Sequence, residues 1–98
     1  GQTKILHFID NLHILKNNLF EVPPIFKLIQ EESKTDSKEM FKVFNMGHRM
    51  EIFTNAENAS EIIKISESVG IKAKIIGEVF KSDKKKLTIQ SEIGNFEY

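Results

Sequence analysis

The run from Met40 to Met50, MFKVFNMGHRM, constrains this chain more than any other stretch. Met40, Val43 and Phe44 are spaced i, i+3 and i+4, which predicts one apolar face of a helix. Beyond the run's centre, Met50 and Ile52 alternate with Arg49, Glu51 and Phe53, the period of a strand over Arg49–Thr54. Asn45 and Gly47, two residue types that tolerate unusual backbone angles, stand where the period changes. A helix, a tight turn and a strand are therefore expected in immediate succession.

Other elements follow from local signals. Ile5, Phe8, Ile9 and Leu12 have helical spacing, with Thr3 as an N-cap candidate. His13–Lys16 has the length of a short strand, and Asn17-Asn18 then turns the chain. Pro23-Pro24 sets a hard boundary. Pro24 suits the first turn of a helix whose Ile25, Leu28 and Ile29 share a face, with Phe26 beside them. Asp36 and Glu39 have capping-box spacing ahead of the helix that runs into Phe44. Thr54 and Glu57 have it ahead of another helix. There Ala59, Ile62, Ile63 and Ser66 form the expected buried stripe, and Gly70 suits the position after the C-cap. Residues 71–79 and 86–90 alternate as strands and are expected to pair as a hairpin, with Lys84-Lys85-Lys86 a solvated charge run at its turn and Gly94–Tyr98 a tail. The order of elements predicts one α+β domain over residues 1–98, a small mixed or antiparallel sheet covered by helices.

Composition narrows function mostly by exclusion. The 98 residues carry 14 basic and 14 acidic side chains, which gives no net field for nucleic acid or an anionic membrane. Arg49 is the only arginine, so a planar, bidentate grip on phosphate or carboxylate has one candidate. Cysteine is absent, which excludes disulfides, thiolate catalysis and cysteine zinc sites. No apolar run reaches a membrane span, and the first residues lack the pattern of a secretory signal, so a cytoplasmic protein is expected. No P-loop, GxGxxG, HExxH or EF-hand pattern occurs, and His7 and His13 lack metal-ligand spacing. The turn carrying Asn45, Gly47, His48 and Arg49 is the best candidate for contact with an anionic or amide-bearing ligand. A helix starting at Gly1 could also offer backbone N–H groups to an anion.

Three ordered segments go further. Pro23-Pro24-Ile25-Phe26, then Glu39-Met40-Phe41, then Phe44-Asn45-Met46-Gly47 resemble the PP-x-F, E-M-[YF] and F-N-x-G motifs in the C-terminal domain of the phosphoribosylformylglycinamidine cyclo-ligases, the aminoimidazole ribonucleotide synthetase family. The resemblance spans about residues 1–80 and weakens in the final strands. Gly1-Gln2-Thr3-Lys4 looks like the last glycine of the family's His-x-x-Gly-Gly-Gly loop and the helix start after it. His48-Arg49 departs from the family, many of whose members have a second glycine soon after F-N-x-G.

The resemblance implies part of a two-domain enzyme of purine biosynthesis that uses ATP and Mg²⁺. Its substrate would be formylglycinamidine ribonucleotide, whose formyl oxygen is phosphorylated before an amidine nitrogen closes the imidazole ring. The family's N-terminal ATP-binding domain and the first part of its C-terminal domain have no counterpart in residues 1–98. The family dimerises largely through that N-terminal domain, so a homodimer is implied for a full-length protein. Residues 1–98 alone are expected to be inactive and to expose apolar surface. Gly1, Thr3, Lys4, Asn45, Gly47 and His48 are assigned to the substrate cleft, and none to catalysis. The alternative is a stand-alone, non-catalytic α+β binding module of the same descent.

Overall fold

A computed structural model describes residues Gly1–Tyr98. The sheet is mixed and four-stranded. Its strands are β1 (Leu12–Lys16), β2 (Gly77–Lys81), β3 (Lys86–Ser91) and β4 (Gly94–Glu97), in the order β2-β1-β3-β4. β1 is antiparallel to β2 and parallel to β3, and β3 is antiparallel to β4. Three α-helices accompany it: α1 (Pro24–Ser33), α2 (Ser37–Val43) and α3 (Ala56–Ser68). The α+β architecture expected from the order of elements is the one observed. No helix is long and apolar enough to cross a membrane.

The core lies on one face of the sheet. Ile14, Leu87 and Ile89 supply that face, Met40 and Phe41 come from α2, and Val22 and Met46 close the ends. Phe26 and Ile29 of α1 and Ile5, Leu6 and Ile9 of the N-terminal segment pack around it. Only ten residues are fully buried, in a slab measuring 41 × 39 × 20 Å, so a few large side chains carry most of the hydrophobic stabilisation. α3 contributes none of them.

Several helix boundaries follow the local signals. Pro24 opens α1, and Lys34 leaves it in the left-handed conformation. Asp36 caps α2 by accepting the Glu39 N–H at 2.8 Å. After α3, Gly70 has φ +81°, and the Gly70 and Ile71 N–H groups return to Glu67 O and Ser66 O, a Schellman closure.

The differences arise where distant segments compete. The helix expected over residues 5–12 shrinks to a 3₁₀ turn, Lys4–His7. Gln2 is pinned to Phe41 O at one end and Leu12 is paired with Lys81 at the other, leaving no length for further turns. Thr3 occupies the N-cap position without a side-chain bond. Arg49–Thr54 forms no strand: its alternation has no partner backbone, and Met50, Ile52 and Phe53 are exposed. Thr54 does not cap α3. Asn55 holds that position, also without a side-chain bond to the helix backbone. The stripe on α3 is only half-buried: Ala59, Ile62, Ile63 and Ser66 all remain partly exposed. On α1, Phe26 and Ile29 face inward while Ile25 and Leu28 are exposed. On α2, Phe41 takes the buried place expected of Val43.

The expected hairpin between residues 71–79 and 86–90 does not form. β1 lies between β2 and β3, and the connection after Lys81 crosses the end of β1, where the Ser82 N–H bonds Asn11 O. The hairpin is instead β3–β4, so Gly94–Glu97 is a strand and not part of a tail. Phe96 and Tyr98 alternate toward the core. Lys86 belongs to β3 and pairs with Glu97 at 3.0 Å, which takes it out of the solvated run.

Candidate functional site

The turn after α2 is built on a left-handed pair. Met46 has φ +54° and Gly47 φ +95°, so Met46 rather than Asn45 shares the unusual geometry with the glycine. The Met46 side chain is buried, which holds a non-glycine residue in a costly conformation. Asn45 organises the turn instead. Its Oδ1 accepts the Gly47 N–H at 2.8 Å, and its carbonyl accepts the His48 N–H at 3.1 Å. A Cβ on Gly47 would stand 2.7 Å from Pro23 Cγ, so glycine also answers the close approach of the Pro23-Pro24 corner.

The N-terminal segment packs directly on this turn. Gly1 lies so close to the Phe44–Asn45 peptide that a Cβ would meet Phe44 C at 2.6 Å and Asn45 N at 2.7 Å. The Gly1 amino group donates to Lys42 O, and the Gln2 N–H donates to Phe41 O at 2.9 Å. The Gln2 Nε2 reaches Asn45 O at 2.7 Å. The two motifs assigned to the cleft on resemblance, far apart in the chain, therefore form one continuous backbone surface. Asn45, Gly47 and Lys4 are exposed on the chain's surface, and Thr3 is half-buried.

Behind that surface stands a cluster the sequence reading missed. The Lys16 ammonium, at the end of β1, donates to Gln2 O at 3.0 Å, Gln2 Oε1 at 2.6 Å and Glu51 Oε2 at 2.7 Å. Burial pushes the Lys16 ammonium below its ordinary pKa, and Glu51 partly offsets this. Burial pushes the Glu51 carboxyl up, but the adjacent His48 ring and Lys16 ammonium outweigh it and leave the group below its ordinary value. His48 is also buried. Its Nε2 accepts the Phe20 N–H at 3.3 Å, which places the ring proton on Nδ1, 3.4 Å from Glu51 Oε1. His48 Nε2 is thus engaged by Phe20 N–H, while Nδ1 faces Glu51 Oε1, a buried oxygen with no hydrogen-bond partner in the chain. Phe20 packs edge-on against His48, with Lys74 over its ring.

Gln2, Lys16 and His48 are the buried polar residues of the chain, and all belong to this one network. One signal for Lys16 existed: it shares its strand face with Ile14, so alternation alone puts a lysine on the core side. Gln2 and Glu51 carried no such signal, because their partners come from distant segments.

Residues 11–90 match the family described as AIR synthase related protein, C-terminal domain. The match reaches further into the last strands than the motifs suggested, and Gly1–Asp10 lie outside it. The chain is similar to proteins named phosphoribosylformylglycinamidine cyclo-ligase in several organisms. Identity is 48% over 63 residues for that of Methanococcus vannielii, covering 64% of this chain and 18% of the relative. It is 45% over 62 residues for Bacillus cytotoxicus, covering 63% and 18%. It is 33% over 91 residues for Syntrophus aciditrophicus, covering 84% and 26%. The chain thus spans between about a fifth and a quarter of the length of these relatives. With the family pattern covering most of its residues and every element of the sheet's centre, the chain belongs to the AIR synthase related proteins through their C-terminal domain.

Proposed function

We propose that this chain is the C-terminal portion of an ATP-dependent cyclo-ligase that converts formylglycinamidine ribonucleotide to aminoimidazole ribonucleotide. One observation carries the reading beyond family membership: the glycine-led N-terminal segment and the Asn45–Gly47 turn form one surface. Ring closure requires a flexible substrate to be held in a near-attack shape, and a rigid backbone surface suits that task. Asn45 is exposed, and its Nδ2 is available to donate to a carbonyl or ribose oxygen while its Oδ1 is engaged with Gly47 N–H. Lys4 would meet the substrate phosphate with Thr3 beside it, and Gly1 and Gly47 keep the surface free of side chains. His48 supports the turn from within the network.

No group of three or more His, Asp or Glu side chains is placed to hold a metal ion, so no step through Mg²⁺ or ATP is assigned to these residues. Both would be held by other parts of a longer protein, which would dimerise there and act in the cytoplasm.

The test is to express the full reading frame containing residues 1–98 and follow ADP release with formylglycinamidine ribonucleotide as substrate. Turnover is expected, and Asn45→Ala should lower kcat/KM about tenfold, the worth of one hydrogen bond to a ligand. Binding of the ribonucleotide without ADP release would favour a non-catalytic module; neither binding nor turnover would overturn the assignment.

A further inference from the structure

We propose that Lys16 is a positioning residue that locks the N-terminal segment to the Asn45–Gly47 turn and so fixes the shape of the cleft wall. A lysine almost never becomes fully buried without a compensating set of partners. Here the set is complete: three ammonium donors meet Gln2 O, Gln2 Oε1 and Glu51 Oε2. Two of those acceptors belong to one residue, and that residue joins the segments. Gln2 receives Lys16 on its backbone and side-chain oxygens while its backbone N–H holds Phe41 O and its Nε2 holds Asn45 O. The third acceptor, Glu51, approaches His48 through its other oxygen. One ammonium therefore ties the segment before the turn and the segment after it to the end of β1.

The register of the sheet makes this possible. Lys16 stands opposite Gly77 on one side and Ile89 on the other, at the limit of the apolar face. Gly77 contributes no side chain there. A residue needed only to fill the core at this position would be apolar. Replacing a buried ion pair by apolar groups is often neutral for stability. A charged residue is required if the purpose is to hold two carbonyl-type oxygens of Gln2 together with a carboxylate, which no apolar side chain can do. The lock itself is read from contacts within the chain; its consequence for substrate rests on the function proposed above.

The experiment uses the full-length protein with Lys16→Met and with Lys16→Met/Glu51→Gln. The single variant leaves a carboxylate buried without its cation and should lose stability. The double variant removes both charges and should recover most of it. Hydrogen exchange followed by mass spectrometry then reads residues 1–6 and 44–50, with the β3–β4 hairpin as the internal control. Loss of a charge-assisted lock should speed exchange in both segments about tenfold or more in each variant, with the hairpin unchanged in the double variant. In the same protein, kcat/KM should stay at least about tenfold low in the double variant although its melting temperature recovers. Exchange rates that remain at the parental level in the two segments overturn the proposal, as does a double variant that regains protection together with stability. If the unsubstituted protein shows no cyclo-ligase turnover, the proposed function falls. Lys16 is then judged on exchange alone.

Discussion

Gly77→Ala is a sharp test of how the sheet is assembled. Gly77 begins β2 opposite Lys16, and an added Cβ would stand 2.9 Å from both Leu15 C and Lys16 Cα, and closer still to Leu15 O. All three are backbone atoms of the inner strand, so no rotamer change relieves the contact. Relief requires β2 to move away from β1 at this end, at the cost of ladder bonds and of the Asn17 and Asn18 N–H bonds to Ile76 O. Over-packing of this kind costs about 1–3 kcal/mol, and the rigid neighbours argue for about 3. The ceiling is release of β2, an edge strand with five residues in register. In a domain of this size about 3 kcal/mol lowers Tm by roughly 12–24 °C. Gly70→Ala is the control. Its φ is +81° but an added Cβ would meet nothing within 4 Å, so only the left-handed backbone is penalised. That costs about 1 kcal/mol, or roughly 4–8 °C. Thermal unfolding followed by circular dichroism measures both. A Gly77→Ala loss no larger than that of Gly70→Ala would refute the close backbone approach and the strand pairing that creates it.

Asp36→Ala removes the carboxylate that accepts the Glu39 N–H, and should cost about 1 kcal/mol in denaturant titration, with Asp36→Asn retaining most of the cap. Tyr98 is the only tyrosine, in a chain without tryptophan, so ultraviolet titration reads it alone. Burial and the nearby Asp36 and Glu39 push its phenol up to about 12, and a midpoint near the ordinary 10.0 would contradict its place beside α2. Because the phenol is raised in the fold, its contribution to stability is complete below pH 10.0 and is lost as pH climbs toward about 12. Glu51 acts in the opposite pH range. Its carboxyl is depressed in the fold, so its contribution is present above the ordinary 4.5 and is lost as pH falls through the lower folded value. The parental Tm should therefore drop more steeply below pH 4.5 than that of Glu51→Gln, and parallel curves would mean that the pair with Lys16 is not formed.

Features decided within a few residues were legible in the sequence. Pro24 opening α1, Asp36 capping α2 and Gly70 closing α3 are local matters of φ, missing donors and short hydrogen bonds. The position of β3 followed from alternation, and that of β1 from a run of strand length ended by Asn17-Asn18. What alternation cannot state is the partner. Residues 49–54 alternate as residues 86–90 do, yet they form no strand. The connection after Lys81 looks the same whether it turns back on itself or steps over another strand, because a few residues can span either distance. At the site, Asn45 and Gly47 announced a turn by residue type. The Lys16 network could not announce itself, since Gln2, Lys16 and Glu51 come from three separated stretches and each alone is an ordinary polar residue.

The insertion of β1 between β2 and β3 has a consequence during synthesis. Ile14 leaves the ribosome long before Val79 and Leu87, the residues it pairs with on either side. At about 5–20 residues per second, roughly 3–15 s pass in which this short apolar strand has both backbone edges open. β1 cannot complete its sheet by any local pairing, and folding must wait for β2 and β3 to arrive. A risk of misassembly thus opens when β1 emerges, and it closes only when β2 and β3 have followed it.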